Sequence, residues 1–225
     1  MKFEVNKLTN DFGSEVVGLD LSENLAEEDF ATIKNLYFER AVVVFRGQIL
    51  TPSQQSDFSR RFGELMIHVL TQFQISGDPE VLVLSNRRDA VGNPIGFEDA
   101  GRYWHSDISY NAEPALGTML YAVEIPDQGG DTLFADMAAA YEALSDKIKR
   151  QIEGRFAYHS YTINYKANET NDGSRPNLTD DQLATLANVL HPIVRTHEAT
   201  GRKALYVNPG FTYCIDGMSE TESDA

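Results

Sequence analysis

The segment Trp-His-Ser-Asp-Ile-Ser-Tyr at 104–110 sets an imidazole and a carboxylate two positions apart. Alternate side chains of an extended strand share a face, so His105 and Asp107 would be presented together and could fill two sites of a divalent cation. The triplet alone is weak. With 5 histidines and 34 acidic residues in 225, about 0.8 such His-x-acid triplets arise by chance, and the alternative is an exposed histidine beside an unrelated aspartate. Other histidines compete for the same chemistry. His191 and His197 would point the same way along a strand, and either could serve as a further ligand. The structural alternative has His191 opening a strand before Pro192 and His197 ending one before the Glu-Ala-Thr-Gly-Arg turn. His159 has no acidic neighbour two residues away and reads as a packing or polar-face residue.

The elements that must position these groups follow from periodicity. Phe3–Leu8 and Glu15–Leu19 read as short strands, and Phe30, Ile33 and Tyr37 recur at helical spacing. Ala41–Phe45 is a β-branched run ending at Arg46 and Gly47, which predicts a buried strand. Thr51 as cap, Pro52 at the first helical position and Gln54 completing a capping box announce a helix that carries Phe58 and Phe62 and closes at Gly63. Beyond it the chain is strand-rich, with candidates at 81–85, 117–125, 132–136, 156–163, 191–197 and 204–208. Many short strands between polar turns predict a mostly β fold, an antiparallel sandwich or barrel with flanking helices at about 137–153 and 180–189. The second of these helices starts from a Thr179–Gln182 box. Residues 166–181 are polar enough for a long surface loop, of the kind that forms lids or inert insertions.

Composition excludes several classes. The net charge is −15, with 19 basic and 34 acidic residues and no basic stripe, so nucleic acid is not an expected partner. The longest apolar run, Ala41–Phe45, is far short of the ~20 residues that span a bilayer, and the start has no apolar signal core. No membrane association is expected. The single cysteine, Cys214, allows no internal disulfide and suits a reducing, cytoplasmic setting. No internal repeat or linker divides the chain, which predicts one domain over residues 1–225.

Four blocks in order raise the weight of the His-x-Asp pair: Thr51–Leu65 followed by His68, then 104–110, then Pro126–Ser145, then His191–Phe211. Together they resemble the taurine and chlorophenoxyacetate dioxygenase family of Fe(II)- and α-ketoglutarate-dependent oxygenases. The resemblance implies a double-stranded β-helix, or jelly roll, with flanking helices. It implies Fe(II) as cofactor, held by two histidines and one carboxylate that leave open positions for α-ketoglutarate as co-substrate and for dioxygen. His105 and Asp107 match two of the ligands, and Thr132 in Gly-Gly-Asp-Thr-Leu-Phe matches a hydroxyl that bonds the ketoacid carboxylate. His68, Tyr161 and Phe211 fall where the family lines its substrate pocket. The implied reaction is hydroxylation of a small organic acid, sulfonate or sulfate ester, with succinate and CO2 as co-products. Thr71 and Gly101 stand where the taurine enzyme has tyrosine and asparagine, which points away from taurine.

The family's second iron histidine and its ketoacid-binding arginine lie downstream of the Asn-Pro-Gly-Phe block, and the sequence ends at Ala225 before either. Ser219 and Glu222 form a capping box with almost no helix to follow. The expectation is therefore a jelly roll incomplete at its C-terminal end, with negligible turnover by the 225-residue chain alone and an exposed edge prone to homo-oligomerisation. The alternative is a non-catalytic relic, or a structural subunit, of the same fold.

Overall fold

A computed structural model of the chain describes residues 3–10, 12–98, 100–163 and 177–224. Most of the polar loop read at 166–181 lies outside the described residues.

The N-terminal part is one packed layer. Strands β1 (Glu4–Lys7) and β2 (Ser14–Val17) pair antiparallel, and helix α1 (Glu27–Arg40) carries the chain over to β3 (Val43–Phe45), which lies parallel to β2. Acidic residues fill the first turn of α1 and Arg40 its last, each complementing the helix dipole. Helix α2 (Pro52–Arg60) starts as its sequence predicts: Thr51 Oγ1 accepts from the Gln54 amide at 3.2 Å, and Gln54 Oε1 accepts from the Thr51 amide at 2.8 Å. Phe30, Ile33 and Phe58 are buried here with Val16, Leu21 and Leu50. The rings of Phe30, Phe58 and Phe62 meet edge to face at 4.9–6.2 Å.

A short hairpin follows, β4 (Gln74–Ile75) with β5 (Asp78–Leu82). Helices α3 (Met137–Ala143) and α4 (Asp146–Ile152) replace the single helix expected at 137–153. The break falls at Leu144, because Ser145 turns its hydroxyl to the Ile148 amide and caps a new helix. Strand β6 (Phe156–His159) is the centre of a second sheet, flanked by β7 (Val189–Pro192) and β10 (Thr212–Ile215). Helix α5 (Asp180–Ala184) keeps the Thr179–Gln182 box but ends earlier than read. The expected strand at 191–197 is divided. Its first part, β7, pairs with β6, and β8 (Val194–Thr196) pairs with β9 (Lys203–Leu205) in another sheet, with buried Ile193 at the switch. Helix α6 (Glu220–Asp224) follows the Ser219–Glu222 box.

The strands read at 117–125 and 132–136 are not formed. At the start of the first segment the main chain bonds to side chains: Tyr37 donates to the Leu116 carbonyl at 2.9 Å and Gln55 Nε2 to the Met119 carbonyl at 3.2 Å. A Cβ on Gly117 would sit 2.1 Å from the Tyr37 hydroxyl, so only glycine admits that contact. Leu120, Val123, Ile125, Leu133 and Phe134 are left exposed.

Behind the second sheet lies a polar core. His159 is fully buried, with its ring stacked near Tyr206 and 5.2 Å from His191. Burial, reinforced by His191, holds its imidazole down to about 4. The unfolded chain therefore takes up a proton near pH 6.5 that the folded chain refuses until about 4. The resulting contribution to stability is complete above pH 6.5 and is lost as the pH falls through that window, a loss of about 3 kcal/mol. Urea unfolding followed from pH 7 to pH 4 should show this decline, and His159→Gln, which cannot titrate, should make it shallower by the share that His159 contributes, leaving that of His68, which burial also lowers.

Candidate metal centre

His105 and Asp107 do meet, though by a turn and not by strand alternation. Residues 107–110 fold back on themselves, with the Ser109 amide donating to the Ser106 carbonyl at 3.3 Å and the Asn111 amide to the Ile108 carbonyl at 3.0 Å. Ile108 takes φ +57°, a left-handed conformation that a β-branched residue resists, so the surrounding packing must hold it. The result sets His105 Nε2 3.0 Å from Asp107 Oδ1.

The tautomer of His105 follows from its other nitrogen. Nδ1 lies 2.8 Å from the Tyr103 carbonyl oxygen, which can only accept, so Nδ1 carries the proton. A neutral His105 then aims the Nε2 lone pair at a carboxylate oxygen. Two electron-rich atoms at that distance need a cation between them, either a proton or a metal. Bonds of about 2.1 Å at right angles span 3.0 Å, so the pair fits two neighbouring positions of an octahedral ion. In the proton-bound form, the bond to Asp107 raises the His105 pKa above its ordinary value, and the Tyr103 carbonyl adds to the effect. Asp107 is lowered by His105 and further by a hydrogen bond from the Thr118 side chain, against the cost of its burial.

Around the pair stands an aromatic wall. Phe211 meets the His105 ring edge-on at 6.0 Å and packs with Tyr110 at 4.9 Å and Tyr161 at 6.1 Å. Tyr161 belongs to a helical turn, since β6 stops at His159 and not at residue 163 as read. His68 lies 6.0 Å from Tyr161. Its Nδ1 accepts from the Leu70 amide at 3.1 Å, which leaves the proton on Nε2. Burial holds this imidazole down to about 4, and the charge of Asp107 only partly offsets that. His68 therefore stands neutral at pH 7 as a hydrogen-bond donor at the wall.

The remaining candidates have other surroundings. Thr132 is exposed on the unpaired segment, and no contact among the described residues links it to the pair. His191 Nε2 is engaged by the Asn111 carbonyl at 2.9 Å, and His197 Nδ1 by Thr200 Oγ1 at 3.1 Å, so neither joins the pair. Among the described residues no cluster of three His, Cys, Asp or Glu side chains gathers. Thr118, missed in the sequence, was hidden in an apparent strand. Gly210 was missed too, although its position in Asn-Pro-Gly-Phe marked a turn. Its amide donates to the Trp104 carbonyl at 3.1 Å, and a Cβ there would fall 2.7 Å from His105 Cβ.

The family model described as "Taurine catabolism dioxygenase TauD, TfdA family" matches residues 4–225, and the chain belongs to that family. It is 33% identical over 238 residues to the alpha-ketoglutarate-dependent 2,4-dichlorophenoxyacetate dioxygenase of Cupriavidus pinatubonensis, covering 99% of this chain and 78% of the relative. To the alpha-ketoglutarate-dependent sulfonate dioxygenase of Saccharomyces cerevisiae it is 31% identical, over 100% of this chain and 53% of the relative. The chain thus spans about half the length of its yeast relatives. A crystal structure of a taurine dioxygenase from Burkholderia xenovorans superposes with a TM-score of 0.77 at 29% identity, covering 100% of this chain and 70% of that one. Among the described residues no helix is long and apolar enough to cross a membrane.

In metal-free protein, His105 should titrate above the ordinary histidine value of about 6.5. The stability drawn from the pair is then complete below 6.5 and lost as the pH rises through the elevated value. Proton NMR of the His105 ring should show the elevation, and Asp107→Asn should remove it.

Proposed function

We propose that the protein is an Fe(II)- and α-ketoglutarate-dependent dioxygenase that hydroxylates a small organic acid, sulfonate or sulfate ester and releases succinate and CO2. The observation that carries this reading is the convergence of the His105 lone pair and the Asp107 carboxylate at 3.0 Å, beside an aromatic wall. A hard carboxylate with a neutral imidazole suits ferrous iron. Relatives named for action on sulfonates and phenoxyacetates, together with an alkylsulfatase of Acinetobacter baylyi, support the substrate classes.

His105 and Asp107 would hold the iron. When bound, the iron would let dioxygen, the oxidant, react with α-ketoglutarate and with a C–H bond of the substrate. The protein's own part is to orient and to exclude water. The Tyr103 carbonyl keeps the Nδ1 proton of His105 in place and so keeps Nε2 free to coordinate. His105 itself, and after it the Thr118 side chain, favour the charged form of Asp107. Tyr161 and Phe211 offer an apolar face to the body of a substrate. His68, a neutral donor, is placed to bond an anionic or ester oxygen without adding charge. Thr132 is assigned to the ketoacid carboxylate on its Gly-Gly-Asp-Thr-Leu-Phe context alone. The same reading takes the four small sheets as parts of a double-stranded β-helix, takes residues 1–225 as one domain, and takes the exposed apolar segment at 120–134 as a route to homo-oligomers.

Anaerobic addition of Fe(II) and then α-ketoglutarate should produce a visible charge-transfer band. Asp107→Ala should abolish it while leaving the circular dichroism unchanged and the unfolding free energy within about 0.5 kcal/mol, because a half-exposed carboxylate contributes little to the core. Wild-type protein that gives no band overturns the proposal.

A further inference from the structure

The turn that carries His105 and Asp107 is anchored from outside by groups that touch neither of them. Ser109 is fully buried and has two partners: Asn208 Nδ2 donates to its Oγ at 3.3 Å, and His159 Nδ1 lies 3.1 Å from the same oxygen. Thr212 closes the loop. Its Oγ1 is 3.3 Å from His159 Nε2 and accepts from the Asn208 amide at 3.0 Å. Asn208, Ser109, His159 and Thr212 therefore form a closed polar circuit. The neutral state of His159 suits it, because a neutral imidazole offers one donor and one lone pair to two hydroxyls.

Asn208 also faces the other way. Its Oδ1 accepts from the Phe211 amide at 2.8 Å and fixes the turn 208–211. That turn carries the Phe211 ring against His105 and the Gly210 amide against the Trp104 carbonyl. One side-chain amide thus holds the ligand turn with its nitrogen and the aromatic wall with its oxygen.

We infer that Asn208 is a positioning residue that couples the metal-ligand turn to the substrate wall, acting through Ser109. The functional meaning of this coupling rests on the metal reading of His105 and Asp107. Outer-shell partners of this kind commonly change metal affinity by about 10–100-fold. A residue that merely closed the 208–211 turn would lower thermal stability and leave metal affinity alone.

The test has two arms. Mn(II) is titrated into wild type, Ser109→Ala, Asn208→Ala and the double variant, read by the fluorescence of Trp104, the chain's 1 tryptophan, beside His105. Amide hydrogen exchange at Gly210, whose N–H bonds the ligand turn, is followed in the same four proteins without metal. Both single variants should weaken Mn(II) binding about tenfold or more. They should also speed Gly210 exchange about tenfold and leave exchange in β1 and β2 unchanged. The double variant should be no worse than Asn208→Ala, because the two side chains act as one unit. Mn(II) affinity within about twofold of wild type, unchanged Gly210 exchange, or additive losses in the double variant would each overturn the coupling. Should wild type bind no Mn(II), the metal reading falls, and Gly210 exchange alone decides whether Asn208 couples the two turns. If Asn208→Ala fails to fold, Ser109→Ala carries both arms, since it removes one buried oxygen and leaves the Phe211 amide bond in place.

Discussion

Two electron-rich atoms held 3.0 Å apart repel unless a positive charge lies between them, and the local architecture is arranged around that requirement at His105 and Asp107. The Tyr103 carbonyl fixes the imidazole proton on the far nitrogen, so the near nitrogen has only a lone pair to offer. His105 and, after it, Thr118 favour the charged form of the carboxylate. The backbone contributes by force, since Ile108 is held left-handed to fold the carboxylate back towards the ring. Such a turn is not stable by local preference. It persists because Ile108 packs against the cluster that holds Tyr110, Tyr161 and Phe211, and Ser109 is fully buried.

The site is therefore an outcome of tertiary packing. The turn at 105–110 rests on a polar core at His159 and is flanked by the 208–211 turn, and each of these comes from a different stretch of the chain. The N-terminal layer of α1, α2 and β1–β3 contributes indirectly. It grips residues 116–121 through Tyr37 and Gln55, and that grip brings Thr118 to Asp107.

What the sequence revealed and what it concealed divide along physical lines. Local signals were legible: the capping boxes at Thr51 and Thr179 each form with both of their hydrogen bonds, because a cap depends on residues only three apart. The pairing of His105 with Asp107 was legible as a spacing, but the device that joins them was not. Period-two alternation predicts a strand, whereas the chain makes a turn whose conformation Ile108 would not choose alone. The segment at 117–136 has strand composition, yet a strand exists only where another strand offers its edge, and among the described residues no strand pairs with it. Thr118, Ser109 and Asn208 were invisible for a related reason. Their roles depend on partners up to 99 residues away, and a threonine, a serine or an asparagine announces no chemistry by itself. His68, Tyr161 and Phe211 were singled out only through the family resemblance; their rings do contact one another, a proximity between distant parts of the chain that periodicity cannot indicate.

Gly210 shows what this arrangement means for how the sequence can drift. Any larger residue there would press its first carbon to within 2.7 Å of His105 Cβ and 2.8 Å of the Tyr103 ring, neither of which is the free end of a flexible chain. The position has no neutral neighbours in mutational space, although it is neither a ligand nor part of a strand. On the proposed dioxygenase reading, selection for new substrates would then be channelled away from this turn and towards other side chains of the aromatic cluster, such as Tyr161 and His68. Variation among natural or laboratory descendants should accordingly pool on one side of the site and freeze on the other.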